Sequence, residues 1–123
     1  MPNIVDKNIG EVDIYAEALE SAYDYIKKLI VGVEKYLENM NDNKISESVD
    51  LLISIIEGLE WEVNALSLIK EKVNIKLDIE ESNLIFINLS NALENKDYVL
   101  ITDLFEYEIL PMLKKWKGYL DNN

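Results

Sequence analysis

Acidic side chains at helical spacing are the residues of this chain that come closest to a chemical site. Glu57 and Glu60 are three residues apart, and so are Glu94 and Asp97. Residues at this spacing share one face of a helix, and carboxylate oxygens are the ligands that Mg²⁺ and Mn²⁺ prefer. A metal-dependent enzyme using Glu57 and Glu60 is therefore one hypothesis. Because the chain holds 24 acidic residues, chance pairs are frequent, and surface charge is the competing interpretation.

Four residue types are absent from the 123 residues: histidine, cysteine, arginine and glutamine. Without histidine and cysteine the chain has no imidazole base, thiol nucleophile, disulfide or zinc-thiolate site. The serines have no histidine to activate them, and none lies in a glycine-rich elbow. We expect a protein that is not an enzyme and that needs no cofactor.

The charge balance limits the partners. Twelve lysines stand against 24 acidic residues, which gives a net charge of −12. Such a field repels nucleic acid and anionic membranes, and the arginine fork that grips phosphate is missing. An AT-rich coding sequence is an alternative cause of the missing arginine. We expect neither nucleic acid nor membrane as a partner, and the absence of a signal-like amino terminus predicts a cytoplasmic protein.

The elements that must position these residues are predicted to be helices in one domain, residues 1–123. Proline and glycine are sparse, and apolar residues recur every three or four positions. Helix one is predicted from about Asp13 to Asn39, with residues 1–12 flexible or loosely packed. Helix two follows from Ile45, after a short polar turn in which Asn43 is the predicted N-cap.

The second half of the chain is predicted to form another helical pair. Asp78 and Glu81 resemble a capping box, so helix three should begin there and end near Glu94. After a break at residues 95–97, in which Asp97 is the predicted N-cap, helix four should run to about residue 120, with a kink at Pro111. The predicted fold is an all-α, antiparallel four-helix bundle.

Helices two and four carry more apolar residues than one buried stripe requires. Helix two has a second row, Ile53, Trp61 and Leu68, and helix four has Leu100, Leu104 and Tyr107. These rows either pack against other helices of the bundle or form a surface for a partner or a second protomer. The predicted partner-binding contacts are Trp61, Leu68, Leu104 and Trp116.

Two known families share features with this chain. The aromatic, lysine-rich segment 110–117, together with length and helix order, resembles the flagellin-specific export chaperones of the FliS type. That resemblance implies apolar grooves that hold amphipathic segments of another protein. The carboxylates Glu57, Glu60, Glu94 and Asp97 loosely resemble the magnesium-binding motifs of all-helical nucleotide pyrophosphohydrolases of the MazG type.

The sequence therefore predicts a non-catalytic adaptor or chaperone-like protein that holds an amphipathic segment of a protein partner. The alternatives are a pyrophosphohydrolase-like enzyme using Glu57 and Glu60, and a purely structural homo-oligomer.

Overall fold

The computed structural model describes residues 2–72 and 75–121, with side chains from residue 14 onward, and its regular structure there is entirely helical. The elements are α1 (Pro2–Asn41), α2 (Ile45–Ile69), α3 (Ile79–Glu94), α4 (Tyr98–Leu104), a π-helical turn (Phe105–Ile109) and α5 (Leu110–Asp121). The last three follow one another without a gap and make up the fourth helix. The predicted all-α bundle is confirmed.

Helix α1 is longer than predicted. Its backbone is helical from Pro2, whereas the periodicity predicted a start near Asp13. At 1.5 Å per residue it is roughly 60 Å long, against roughly 38 Å for α2. The loose packing expected of residues 1–12 concerns side chains that lie outside the described ones, so it stays a prediction.

The turn between α1 and α2 differs from the prediction. Asn43 has a φ of 61°, a left-handed conformation that asparagine tolerates better than most residues. This geometry lets the amide of Lys44 donate to the carbonyl of Asn39 at 2.8 Å and so close the end of α1. Lys44 occupies the N-cap position of α2 and makes no side-chain cap. The prediction that Asn43 caps α2 is therefore wrong.

The two caps predicted in the second half are confirmed. A carboxylate oxygen of Asp78 accepts from the amide of Glu81 at 2.9 Å, and Asp97 accepts from the amide of Leu100 at 3.1 Å. Each satisfies an amide that the first turn of a helix leaves without a partner. These caps fix where α3 and α4 begin.

The fourth helix departs from α geometry just before Pro111. The amide of Leu110 donates to the carbonyl of Phe105, five residues earlier, which makes this a π turn. Pro111 has no amide hydrogen, and in a regular helix its ring would clash with the carbonyl four residues before it. The irregularity predicted at Pro111 thus takes the form of a wider turn on its amino-terminal side.

The core lies between the helices along their three-four apolar stripes. Helix α1 packs against both α2 and α5, and α3 packs against α4. Tyr36 of α1 and Phe105 of the π turn are in contact, with ring centroids 4.9 Å apart. In the described part of the chain, no helix is both long and apolar enough to cross a bilayer.

Candidate protein-binding surface

After Ile45 at its first position, α2 exposes three more large apolar side chains along its outer side. Ile53, Trp61 and Leu68 are 56%, 45% and 75% exposed. They are eight and seven residues apart, close to two helical turns each, so they follow one face of the helix. We call these three residues the α2 face. It is the part of the predicted second row that the bundle leaves uncovered.

Trp61 is held in position by α1. Its ring meets the edge of the Tyr25 ring, with centroids 5.0 Å apart and planes inclined by 76°. Gly58, one turn earlier on α2, makes this approach possible: a Cβ at that position would lie 2.6 Å from the Tyr25 hydroxyl and 2.7 Å from Leu29. Trp61 is therefore a supported anchor rather than a free side chain, which lowers the entropy lost on binding.

Carboxylates flank the α2 face without cations of the same helix to balance them. Glu57 and Glu60 are exposed between Ile53 and Trp61, and α2 contains no lysine. The ion pairs seen among the described residues join Lys27 to Asp24, Lys35 to Glu38 and Lys117 to Asp121. All three lie on α1 or α5. The α2 face is thus an apolar row beside carboxylates that form no ion pair with any described residue.

Two of the four predicted contacts lie elsewhere. Leu104 and Trp116 are 6% and 3% exposed and belong to the core. Their burial between helices means that they present no surface to a partner in this conformation. On the fourth helix the predicted row is split, because Leu100 and Tyr107 on either side of Leu104 are exposed.

The acidic pairs do not converge. Glu57 and Glu60 point outward from the middle of α2, whereas Asp97 caps α4 and Glu94 is the last residue of α3. Within the ranges that the structure describes, no three carboxylates are close enough to hold a metal ion together. The arrangement offers a negative surface.

Sequence reasoning missed the most unusual acidic residue, Glu62. It is completely buried, and neither carboxylate oxygen has a hydrogen-bond partner among the described residues. Burial raises the pKa of Glu62 to about 8, so at neutral pH the folded protein holds it protonated. Its spacing gave a signal: Glu62 lies three residues after buried Leu59 and four before buried Leu66, on the inward face of α2.

Fold and surface together define an all-α four-helix bundle with an acidic, partly apolar outer face. Residues 17–119 match the model of a family described as a domain of unknown function, DUF8042, and the chain belongs to that family. No curated protein and no solved structure matches the chain.

Proposed function

We propose that this protein is a non-catalytic cytoplasmic adaptor or chaperone-like bundle whose α2 face binds an amphipathic helix of another protein. The supporting observation is the coincidence, on one helix, of three exposed apolar side chains with carboxylates that no lysine of that helix balances. A helix laid along α2 would cover the apolar row and set its own lysines or arginines opposite Glu57 and Glu60.

The size of the surface favours a weak and reversible complex. Burying one large apolar side chain completely contributes about 1.5–3 kcal/mol, and the three residues of the α2 face are already partly covered. Association itself costs at least about 4 kcal/mol. Apolar contact alone therefore leaves little net affinity, and the charge complementarity selects which helix binds.

The similarity of segment 110–117 to flagellin export chaperones agrees in kind with this function. This similarity supports only the mode of action, which is the binding of an amphipathic segment. It does not support segment 110–117 as the binding surface, because Trp116 in that segment is buried. The client is defined by its chemistry: a helix with one apolar stripe and a basic flank.

The test uses a 14-residue amphipathic peptide of leucine and lysine, titrated into the intact protein by calorimetry. We expect saturable binding that Leu68→Ser weakens at least fivefold, because a polar side chain then replaces one anchor. Val31→Ser is the matched control, since Val31 is 65% exposed, belongs to α1 and is not part of the α2 face. It should leave the affinity unchanged.

Two outcomes would contradict the proposal. One is equal binding of a peptide in which glutamate replaces every lysine. The other is a protein that sediments as a dimer in which Leu68→Ser restores the monomer, because the α2 face would then be an interface between copies.

A further inference from the structure

A groove lies between the carboxyl-terminal end of α1 and the start of the fourth helix. Its volume is about 580 Å³, within the range of ligand-binding clefts. Leu37 and Met40 of α1 and Tyr98 and Val99 of α4 supply apolar lining. Val99 is 75% exposed, so this lining faces solvent. We call this feature the α1–α4 groove.

Acidic side chains stand on both walls of the groove. Glu38 lies on the α1 wall, and Asp103 and Glu106 lie on the opposite wall. Lys35 approaches Glu38 only to 3.9 Å, in an exposed pair that contributes little. Asp103 and Glu106 make no ion pair with any residue that the structure describes. The apolar lining is therefore bordered by negative charge on two sides.

A polar group without a partner lies behind the same wall. Tyr36 is fully buried, and its hydroxyl makes no hydrogen bond within the described chain. Burial raises the pKa of Tyr36. Thr102 lines the groove, and its hydroxyl donates a hydrogen bond to the carbonyl of Tyr98, at 2.8 Å. The Tyr36 hydroxyl is thus an unpaired polar group of the core, and it does not itself line the groove.

We propose that the α1–α4 groove is a second binding site, for a short peptide segment of a partner protein in which one large apolar residue is flanked on both sides by lysine or arginine. The apolar residue occupies the lining formed by Leu37, Met40 and Val99, and the flanking cations meet the carboxylates of the two walls. The site does not depend on the α2 face, since it is built from α1 and the fourth helix.

A second copy of this chain is a poor occupant. Its net charge of −12 opposes close approach of an identical molecule. The copy does contain an apolar residue among lysines, Trp116 with Lys115 and Lys117, but Trp116 is buried in its own core. A separate protein that presents this pattern in an accessible segment fits the groove better.

The test is a titration of the ¹⁵N-labelled protein with the capped pentapeptide Lys-Lys-Leu-Lys-Lys, followed by amide chemical shifts. We expect saturable shifts concentrated at residues 37–41 and 98–106. Val99→Ser and Asp103→Asn should each weaken binding at least fivefold. The matched control is Leu84→Ser on α3, because Leu84 is 60% exposed and lies outside the groove; it should leave the affinity unchanged.

Control peptides separate the two parts of the recognition. Replacing the central leucine by serine should weaken binding at least fivefold, and replacing the lysines by glutamates should abolish it. Shifts spread evenly over the acidic surface, or full affinity of the serine peptide, would overturn the proposal. So would concentration-dependent shifts at residues 98–106 without peptide, which would identify a second copy as the occupant. Leu68→Ser should not alter this titration, so the two sites are tested independently.

Discussion

Burial of Glu62 makes the stability of this protein depend on pH. A carboxylate without hydrogen bonds in an apolar interior is strongly disfavoured, so the folded state retains the proton and the pKa rises to about 8. In the unfolded chain the same group titrates near its ordinary value of 4.5. Between these two values only the folded state carries the proton.

The raised pKa of Glu62 makes the free energy of unfolding fall as the pH rises. Relative to high pH, the folded state gains its full stabilisation from the proton on Glu62 below pH 4.5, and it loses this stabilisation as the pH rises toward 8. Since one pKa unit corresponds to about 1.4 kcal/mol, the loss amounts to a few kcal/mol. We predict that Glu62→Gln flattens this fall and makes the protein more stable than wild type at pH 8. Urea unfolding between pH 5 and pH 8 measures both effects.

Glu57→Gln is the control for Glu62→Gln, because it removes an exposed carboxylate from the same helix. It should keep the wild-type pH slope apart from a small offset caused by the lower net charge. If both variants changed the slope equally, general charge repulsion would account for the pH dependence and burial of Glu62 would not.

At the scale of an element, the π turn keeps the apolar residues of the fourth helix facing the core. From first to last, the buried residues Ile101, Phe105, Ile109, Met112, Trp116 and Leu120 advance 19 positions in five steps. That is about 3.8 residues per turn, more than the 3.6 of an α-helix. One extra residue in the wide turn keeps the apolar positions on the inward face. Register, in addition to Pro111, therefore requires the turn.

We predict that the fourth helix becomes a regular α-helix if the extra residue and the proline are both removed. Deletion of exposed Glu108 combined with Pro111→Ala should leave the free energy of unfolding within about 1 kcal/mol of wild type, because the core positions on either side keep their register. Pro111→Ala alone should retain the π turn. Carbon chemical shifts of residues 105–109 and urea unfolding give the two measurements.

The comparison is a deletion within a regular helix. Removing exposed Glu57 from α2 turns every later residue by about 100°, which takes Leu59 and Leu66 off the core face, and we expect this variant to lose most of its stability. A regular α-helix at residues 105–109 in Pro111→Ala alone would show instead that the proline is the sole cause of the π turn.

Local signals in the sequence predicted most of the fold. The sequence correctly predicts the caps at Asp78 and Asp97 and the start of α2 at Ile45. Each of these depends only on hydrogen bonding and spacing within one turn. The left-handed Asn43 was missed, because asparagine suits both an N-cap and a left-handed turn residue. The sequence does not predict the π turn, because apolar residues every 3.8 positions also fit the three-four spacing of an α-helix.

For the whole molecule, the candidate site was only partly predictable because burial depends on which helices become neighbours. Trp61 and Leu104 both lie in second apolar rows, yet Trp61 is exposed and Leu104 is buried. Periodicity assigns a residue to a face of its own helix, while packing between helices decides whether that face is covered. Glu62 is the converse case: its residue type predicts exposure, but the face of α2 on which it lies is covered.

The net charge of the molecule gives the last prediction. A charge of −12 on a 14.2 kDa protein sets up self-repulsion that opposes the folded state, and the exposed ion pairs offset little of it. Raising NaCl from 20 mM to 0.5 M shortens the screening length from about 20 Å to about 4 Å, so Tm should rise by several degrees. In Glu57→Lys/Glu60→Lys the charge becomes −8 and the rise should be smaller, whereas an equal rise in both proteins would assign the effect to salt acting on apolar surface. The same substitutions should weaken binding of the leucine-lysine peptide. The carboxylates that destabilise the free protein are the same ones that, in our proposal, select the partner.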